Sequence, residues 1–192
     1  ITPNIYELGR RSSVFRNHLS SGNQTTCGIF GLFYGMHPTY WSAVKANSGI
    51  IDNPVLIDAF EDRGYSFGIY ARSKFERHKI KDTIFNGIEV HKSFAGRTVP
   101  EQDADMTWQA LEFIEEQARK RRPFVGLVFY KSSHCPYEYP PEHEVFEDSR
   151  NLRMGLSNGN TDPAPYLLDY YNSLHYIDAL AGKITVRLEE LG

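Results

Sequence analysis

Between Phe124 and Tyr130 the chain carries a near-continuous apolar run of strand length, and this run restricts the possible folds more than any other feature. A strand with one wet face alternates apolar and polar side chains, whereas a continuous run is covered on both faces by further layers. A central strand buried on both faces is therefore predicted here. The residues before it, Pro100 to Arg122, repeat with a helical period. Met106, Ala110, Phe113, Ile114 and Gln117 fall on one side. Acidic residues open this helix and Arg119 to Arg122 close it, in the sense the helix dipole favours. That basic run reads as a solvated helix end.

The same alternation recurs upstream. Asn53-Pro54 starts a helix that runs through Phe60 and stops at Gly64, and Tyr65 to Ala71 has strand character. A short strand is predicted at Ile88 to His91. Near the start, Thr2-Pro3 turns into a short helix reaching Leu8, and Val14 to Leu19 reads as a strand ending in the polar cluster Ser20 to Thr26. Cys27 to Gly35 follows as a buried, glycine-containing helix. Residues 147–162 are polar and read as a mobile surface loop. Asp162 caps and Pro163 starts the last helix, whose apolar face runs through Leu167, Tyr171, Leu174, Ile177, Ala181, Ile184, Leu188 and Leu191. Helix and strand in alternation predict a layered α/β fold with helices on both faces of a sheet. At 192 residues the chain can bury one sizeable core, so a single domain is expected.

Composition narrows function less than it narrows fold. A formal charge of −3 gives no global case for nucleic acid or for anionic membrane. No apolar run reaches membrane-spanning length and no signal peptide opens the chain, which begins at Ile1 and has the look of a piece of a longer protein. Cys27 and Cys135 are the two cysteines, with no zinc-type spacing; a disulfide and two free thiols both remain open.

Two places can carry chemistry. The first is Ser20 to Thr26, at a predicted strand end and just before the glycine-rich helix, where free N–H groups and a positive dipole favour an anion. Thr25 or Thr26 would put a hydroxyl there, and from local features alone a helix cap is the simpler account of either. Gly22-Asn23 is either a turn that brings backbone close to an anion or a turn and nothing more. The second is Lys131 with His134, after the buried strand. Together they can clamp non-bridging oxygens of a phosphoryl or sulfuryl group, or His134 can protonate a leaving oxygen; a histidine bonded to backbone in a proline-rich turn is the simpler account. His18, His37, His78, His91, His143 and His175 lack ligand spacing and read as surface or structural. The tyrosines read as packing, not as a nucleic-acid platform, and no GxSxG elbow is present.

Read in order, the segments resemble a known family. Thr2-Pro3-Asn4-Ile5 with Leu8, then Phe15-Arg16-Asn17, resembles the opening of sulfatases. Counting to the family's nucleophile forward from Phe15 and Asn17, or backward from Tyr34-Gly35, lands on Thr25. Pro123-Phe124 through His134-Cys135-Pro136-Tyr137 resembles the segment whose histidine contacts the substrate anion, and Tyr170 to Gly182 resembles the helix before the second metal-binding segment. The likeness, in order over nearly the whole chain, is to the alkaline-phosphatase/sulfatase superfamily. The stretch SSGNQTTCGIFGLFYG is similar to the periplasmic domain of a Gram-negative inner-membrane regulator of lipopolysaccharide synthesis. Relatives of that domain include phosphoethanolamine transferases and lipoteichoic acid synthases, with a threonine nucleophile.

The resemblance implies a hydrolase or transferase acting on phosphate- or sulfate-type esters, a lipid headgroup among them, in a membrane-anchored parent on the periplasmic side of the inner membrane. It implies Thr25 as nucleophile and metal ligand, His134 as catalytic, Lys131, Asn23 and Thr26 as substrate-binding, and a divalent metal (Mg, Mn, Zn or Ca). The cysteine-x-proline-serine-arginine signature is absent, since Thr25-Thr26-Cys27-Gly28-Ile29 stands there, so a formylglycine sulfatase is not expected. The family's other metal ligands lie before the opening and after the last helix. Residues 1–192 are thus expected to be the central part of one sulfatase-like domain, inactive alone. The alternative is a sulfatase fold kept as a regulatory or lipid-binding module without turnover.

Overall fold

The computed structural model describes residues 1–48, 53–72, 75, 79–147 and 164–192. It divides into two compact units. The first comprises Ile1–Val14, Phe94–Glu112 and Phe129–Gly192, and the second Phe15–Ser93 and Phe113–Val128.

A three-stranded sheet organises the second unit, with β1 (Ser66–Ala71) between β2 (Val90–His91) and β3 (Phe124–Phe129). β1 and β2 are parallel, Ile69 opposite Val90 and Tyr70 opposite His91. Ile69, Tyr70 and Ala71 are fully buried, so β1 is the central strand. Among the described residues the apolar run instead forms β3 at the edge, half-buried with Gly126 exposed. Continuous apolarity signals cover on both faces, but it does not show how many neighbours a strand has in its own plane. Gly68 of β1 is required by contact: a Cβ there would lie 2.7 Å from the ring of Phe113. Phe113 also meets Phe124 edge-on at 5.6 Å.

Helix α2 (Thr25–Tyr34) forms as expected and ends at Gly35 in the left-handed conformation, φ 64°. It is followed by a 3-10 turn (Pro38–Tyr40) and α3 (Trp41–Ala46). After these come α4 (Val55–Glu61) and α5 (Ile80–Thr83). Aromatic rings knit this layer: Phe30 meets Tyr34 at 4.9 Å, and Phe33 meets Phe85 at 4.9 Å. Val14 to Leu19, expected as a strand, is irregular and exposed. β-branched and aromatic residues make a strand only where a ladder partner exists, and none pairs with this segment among the described residues.

In the first unit, α1 (Pro3–Arg10) starts without help from the side chain of its own N-cap, Thr2. Asp178, on the long helix α7 (Ala164–Leu191), supplies the cap instead. Its carboxylate accepts hydrogen bonds from Asn4 N (3.0 Å), Asn4 Nδ2 (2.7 Å) and Ile5 N (2.8 Å). Gly182 permits the approach, since a Cβ would sit 2.7 Å from Asn4. The buried side of α7 is Asp169, Asn172, Ser173, Tyr176, Asp178 and Leu180. Leu167, Leu188 and Leu191, assigned to its apolar face, are exposed. Polar residues win the inner face because they bind backbone: Asn172 Oδ1 accepts from Val145 N and Phe146 N, each at 2.9 Å. The predicted 147–162 loop lies, past Glu147, outside the described residues, as do Asp162, Pro163 and His78.

Helix α6 (Val99–Lys120) matches the predicted amphipathic segment, with Met106, Ala110, Ile114 and Gln117 buried. Its start is a capping box in which Glu101 accepts from Arg97 N and Thr98 N while Glu101 N donates to Thr98 Oγ1. Asp178→Ala removes three hydrogen bonds and strands two α1 amides, so it should cost about 2–3 kcal/mol. Urea unfolding should show this as a lower midpoint, and an unchanged midpoint would show that α1 is held by apolar contact alone.

Candidate functional site

At the α2 site, Gln24 occupies the N-cap in an extended conformation and no side chain caps the helix. The first amide tied into the helix there is Gly28 N, which donates to Gln24 O at 3.1 Å. The preceding N–H groups therefore carry the positive end of the dipole outward. Thr25 is the first helical residue and half-buried, Thr26 is buried, and Asn23 is exposed. Neither threonine is the helix cap. Gly22 is required by close approach, because a Cβ there would lie 2.7 Å from Cys27 Cβ. No strand precedes this loop, contrary to expectation, so the helix itself and the Gly22 contact place Thr25.

The second place follows β3 in the first unit. Its organiser is Asp103 of α6, fully buried, whose carboxylate accepts from Lys131 N (3.0 Å) and Ser132 N (2.7 Å). A buried carboxylate is costly unless its oxygens are bonded, and here two backbone amides bond them. Two successive turns continue from there, His134 N to Lys131 O at 2.8 Å and Tyr137 N to His134 O at 3.0 Å. His134 is exposed, and its Nδ1 donates to Cys135 O at 3.0 Å. Because a carbonyl can only accept, that bond places a proton on Nδ1 and leaves Nε2 as the ring nitrogen not engaged by it.

Sequence reasoning missed Asp103, although it lies on the buried face of an amphipathic helix three residues before Met106. Ser132 was missed too; it is fully buried and its Oγ has no hydrogen-bond partner among the described residues. Directly after β1, Arg72 likewise has a buried Nη1 without a partner among the described residues. Burial pushes the Tyr130 hydroxyl up to about 12, opposed by its bond with Thr107 and reinforced by the field of Asp103. The Tyr130–Thr107 bond is 2.8 Å, and Thr107 Oγ1 also donates to Asp103 O at 2.9 Å.

A cavity of about 910 Å³ also lies in the first unit, lined by Tyr137, Tyr139, His143, Asp169, Tyr176 and Lys183 among others. Neither Lys131 nor His134 lines it. Its polar walls serve the fold: Tyr139 donates to Asp169 at 3.1 Å and Tyr176 to Pro100 O at 2.7 Å. Burial and His175 hold the His143 imidazole below its ordinary value. Among the described residues no group of three or more His, Cys, Asp or Glu side chains is placed to hold a metal ion. Cys27 and Cys135 are both free thiols.

The sulfatase family model matches residues 1–192. Inner membrane protein YejM of Salmonella typhimurium is 36% identical over 131 residues, which is 68% of this chain and 21% of that protein. An uncharacterized protein of Haemophilus influenzae is 27% identical over 137 residues, 71% of this chain and 22% of that protein. The chain thus spans about a fifth of the curated relatives it matches. The lipoteichoic acid synthase LtaP of Listeria monocytogenes superposes with a TM-score of 0.75 at 13% identity, covering 100% of this chain and 47% of that one. A protein of the alkaline phosphatase superfamily from Vibrio parahaemolyticus superposes with a TM-score of 0.68 at 23% identity, covering 98% and 45%. The α/β fold is therefore the one these proteins share.

Asp103→Ala leaves two amides without an acceptor and should cost about 3 kcal/mol, with Asp103→Asn costing less. Amide exchange at Lys131 and Ser132 should accelerate in the alanine variant, and unchanged exchange would remove Asp103 as organiser. Stability also carries an alkaline limb. The unfolded Tyr130 loses its proton near 10.0 while the folded one holds it to about 12. Its contribution is thus complete below pH 10 and is lost as pH rises toward 12, by about 2–3 kcal/mol. Tyr130→Phe should flatten that limb in urea titrations, and an unaltered slope would place the proton elsewhere.

Proposed function

The chain belongs to the sulfatase family, and from that premise we propose that its parent protein is a hydrolase or transferase acting on phosphate-type esters through Thr25. The observation that carries this reading is Thr25 itself, at the first position of an uncapped ten-residue helix, where the family's modified cysteine would stand. Thr25 Oγ would form the bond to phosphorus as the bond to the leaving oxygen breaks, giving a covalent phosphothreonine. The amides at the start of α2 favour the anionic group, with Asn23 and Thr26 beside them as substrate contacts. Lys131 would offset charge on non-bridging oxygens, and His134, protonated at Nε2, would deliver a proton to the leaving oxygen. Water or an acceptor hydroxyl would then release the phosphoryl group.

Members of this superfamily are generally metal-dependent. A threonine hydroxyl is a weak nucleophile, and a bound divalent metal (Mg, Mn, Zn or Ca) supplies the lowered proton affinity it needs. The described residues do not assemble such a site, so Thr25 is the one ligand proposed from this chain, the others coming from segments that flank residues 1–192 within the same sulfatase-like domain. The relatives named as inner membrane proteins support a membrane-anchored parent, and the reading places its ester-bearing site on the periplasmic face with a lipid headgroup within reach. A regulatory or lipid-binding module without turnover is the second reading, favoured by the loss of the signature at Thr25-Thr26-Cys27-Gly28-Ile29.

The test is phosphomonoesterase turnover by the full-length parent with magnesium, manganese, zinc or calcium. Thr25→Ala should lower kcat at least about a thousandfold, and His134→Ala about a hundredfold or more. Equal turnover in wild type and Thr25→Ala would reject the nucleophile. Silence with every metal would favour the module.

A further inference from the structure

The cavity of about 910 Å³ in the first unit has no role in the chemistry proposed for Thr25, Lys131 and His134, yet its size is that of a site for a small organic ligand. Three segments of that unit wall it: the start of α6, residues 136–144 and the middle of α7. Hydrogen bonds hold these segments to one another. Tyr176 Oη donates to Pro100 O at 2.7 Å, Tyr139 Oη to Asp169 at 3.1 Å, and Asn172 Nδ2 to Tyr139 Oη at 3.2 Å. The walls are thus set in advance of any occupant.

Charge sets the cavity apart. Glu101, Glu138, Glu142, Glu144 and Asp169 belong to its walls, and Lys183 is the one lysine or arginine among the described residues that line it. Glu138, Glu142 and Lys183 form no ion pair among the described residues, so the cavity does not neutralise itself. His143 adds no positive charge at neutral pH, because burial and His175 hold its imidazole below the ordinary value. The rest of the wall is largely apolar, with four prolines, Leu180 and the rings of three tyrosines, of which Tyr139 and Tyr176 have their hydroxyls committed to the fold. Among the described residues no three acidic side chains are grouped to hold a metal ion, so the negative charge is dispersed around the space and not focused at a point.

We propose that this cavity binds a flexible aliphatic polyamine. A metal ion needs several oxygens converging within bonding distance, which these carboxylates do not supply. A polyamine instead spaces its ammonium groups along methylene stems, so each cation can meet a separate carboxylate while the stems lie on proline and tyrosine surface. Aromatic rings favour the cations further. The same charge repels a phosphate-type ester, so this cavity and the Thr25 site take different molecules. Binding here does not require Thr25 to be a nucleophile.

The experiment is calorimetric titration of spermidine into the full-length parent at physiological salt. A saturable site is expected, and an uncharged octanediol of similar length should not bind. Glu138→Gln with Glu142→Gln should weaken spermidine at least about tenfold, and Lys183→Gln should tighten it about threefold, a gain that misfolding cannot imitate. Glu112→Gln removes the same charge from an exposed position outside the cavity and should bind like wild type. Thr25→Ala should also bind like wild type, which separates this result from any failure of the proposed chemistry. No saturable site, unchanged affinity in the double variant and in Lys183→Gln, or equal weakening by Glu112→Gln would overturn the proposal. So would displacement of spermidine by an equal concentration of magnesium, which would make the cavity a metal site.

Discussion

The carboxylate of Asp103 is the contact on which the first unit's candidate chemistry depends. Placing it out of water costs several kcal/mol unless its oxygens are bonded. The amides of Lys131 and Ser132 provide those bonds, at 3.0 and 2.7 Å. The backbone leaving β3 is consequently held at one point, and the turns that follow present Lys131 and His134 from a fixed start. Thr107 and Tyr130 extend the same buried network, and burial, reinforced by the field of Asp103, is why Tyr130 keeps its proton far into alkaline solution.

A similar economy governs the chain's opening. The residues through which it resembles sulfatases, Thr2-Pro3-Asn4 and the stretch of α7 from Tyr170 to Gly182, touch one another. Asp178 caps α1, and Gly182 leaves room for Asn4. These signature positions are thus structural before they are chemical: they fix a helix start far away in sequence.

Much of this was legible beforehand, and the failures have common physical causes. Helices α1, α2, α4 and α6 and strands β1 and β2 were read correctly because caps, glycine stops and periodicity are local signals. β3 was found but misplaced, since sequence does not record neighbours in the plane of a sheet. The face of α7 was misassigned because hydrophobic periodicity is blind to polar side chains that are buried to bind backbone, as Asn172 and Asp178 are. Val14 to Leu19 has strand composition without a partner. At the candidate sites, counting along the family pattern lands on Thr25, and in the structure the N-cap position is held by Gln24. Asp103 escaped notice because one acid in a helix looks like any surface charge until its burial is known.

The central claim is covalent: Thr25 accepts a phosphoryl group. It is tested most directly by acid-quenching the full-length parent during turnover of a phosphate ester and sequencing its peptides by mass spectrometry. A phosphate adduct on Thr25, absent when the metal is chelated, is the predicted result. An adduct on another residue, or turnover with Thr25 never modified, would contradict it.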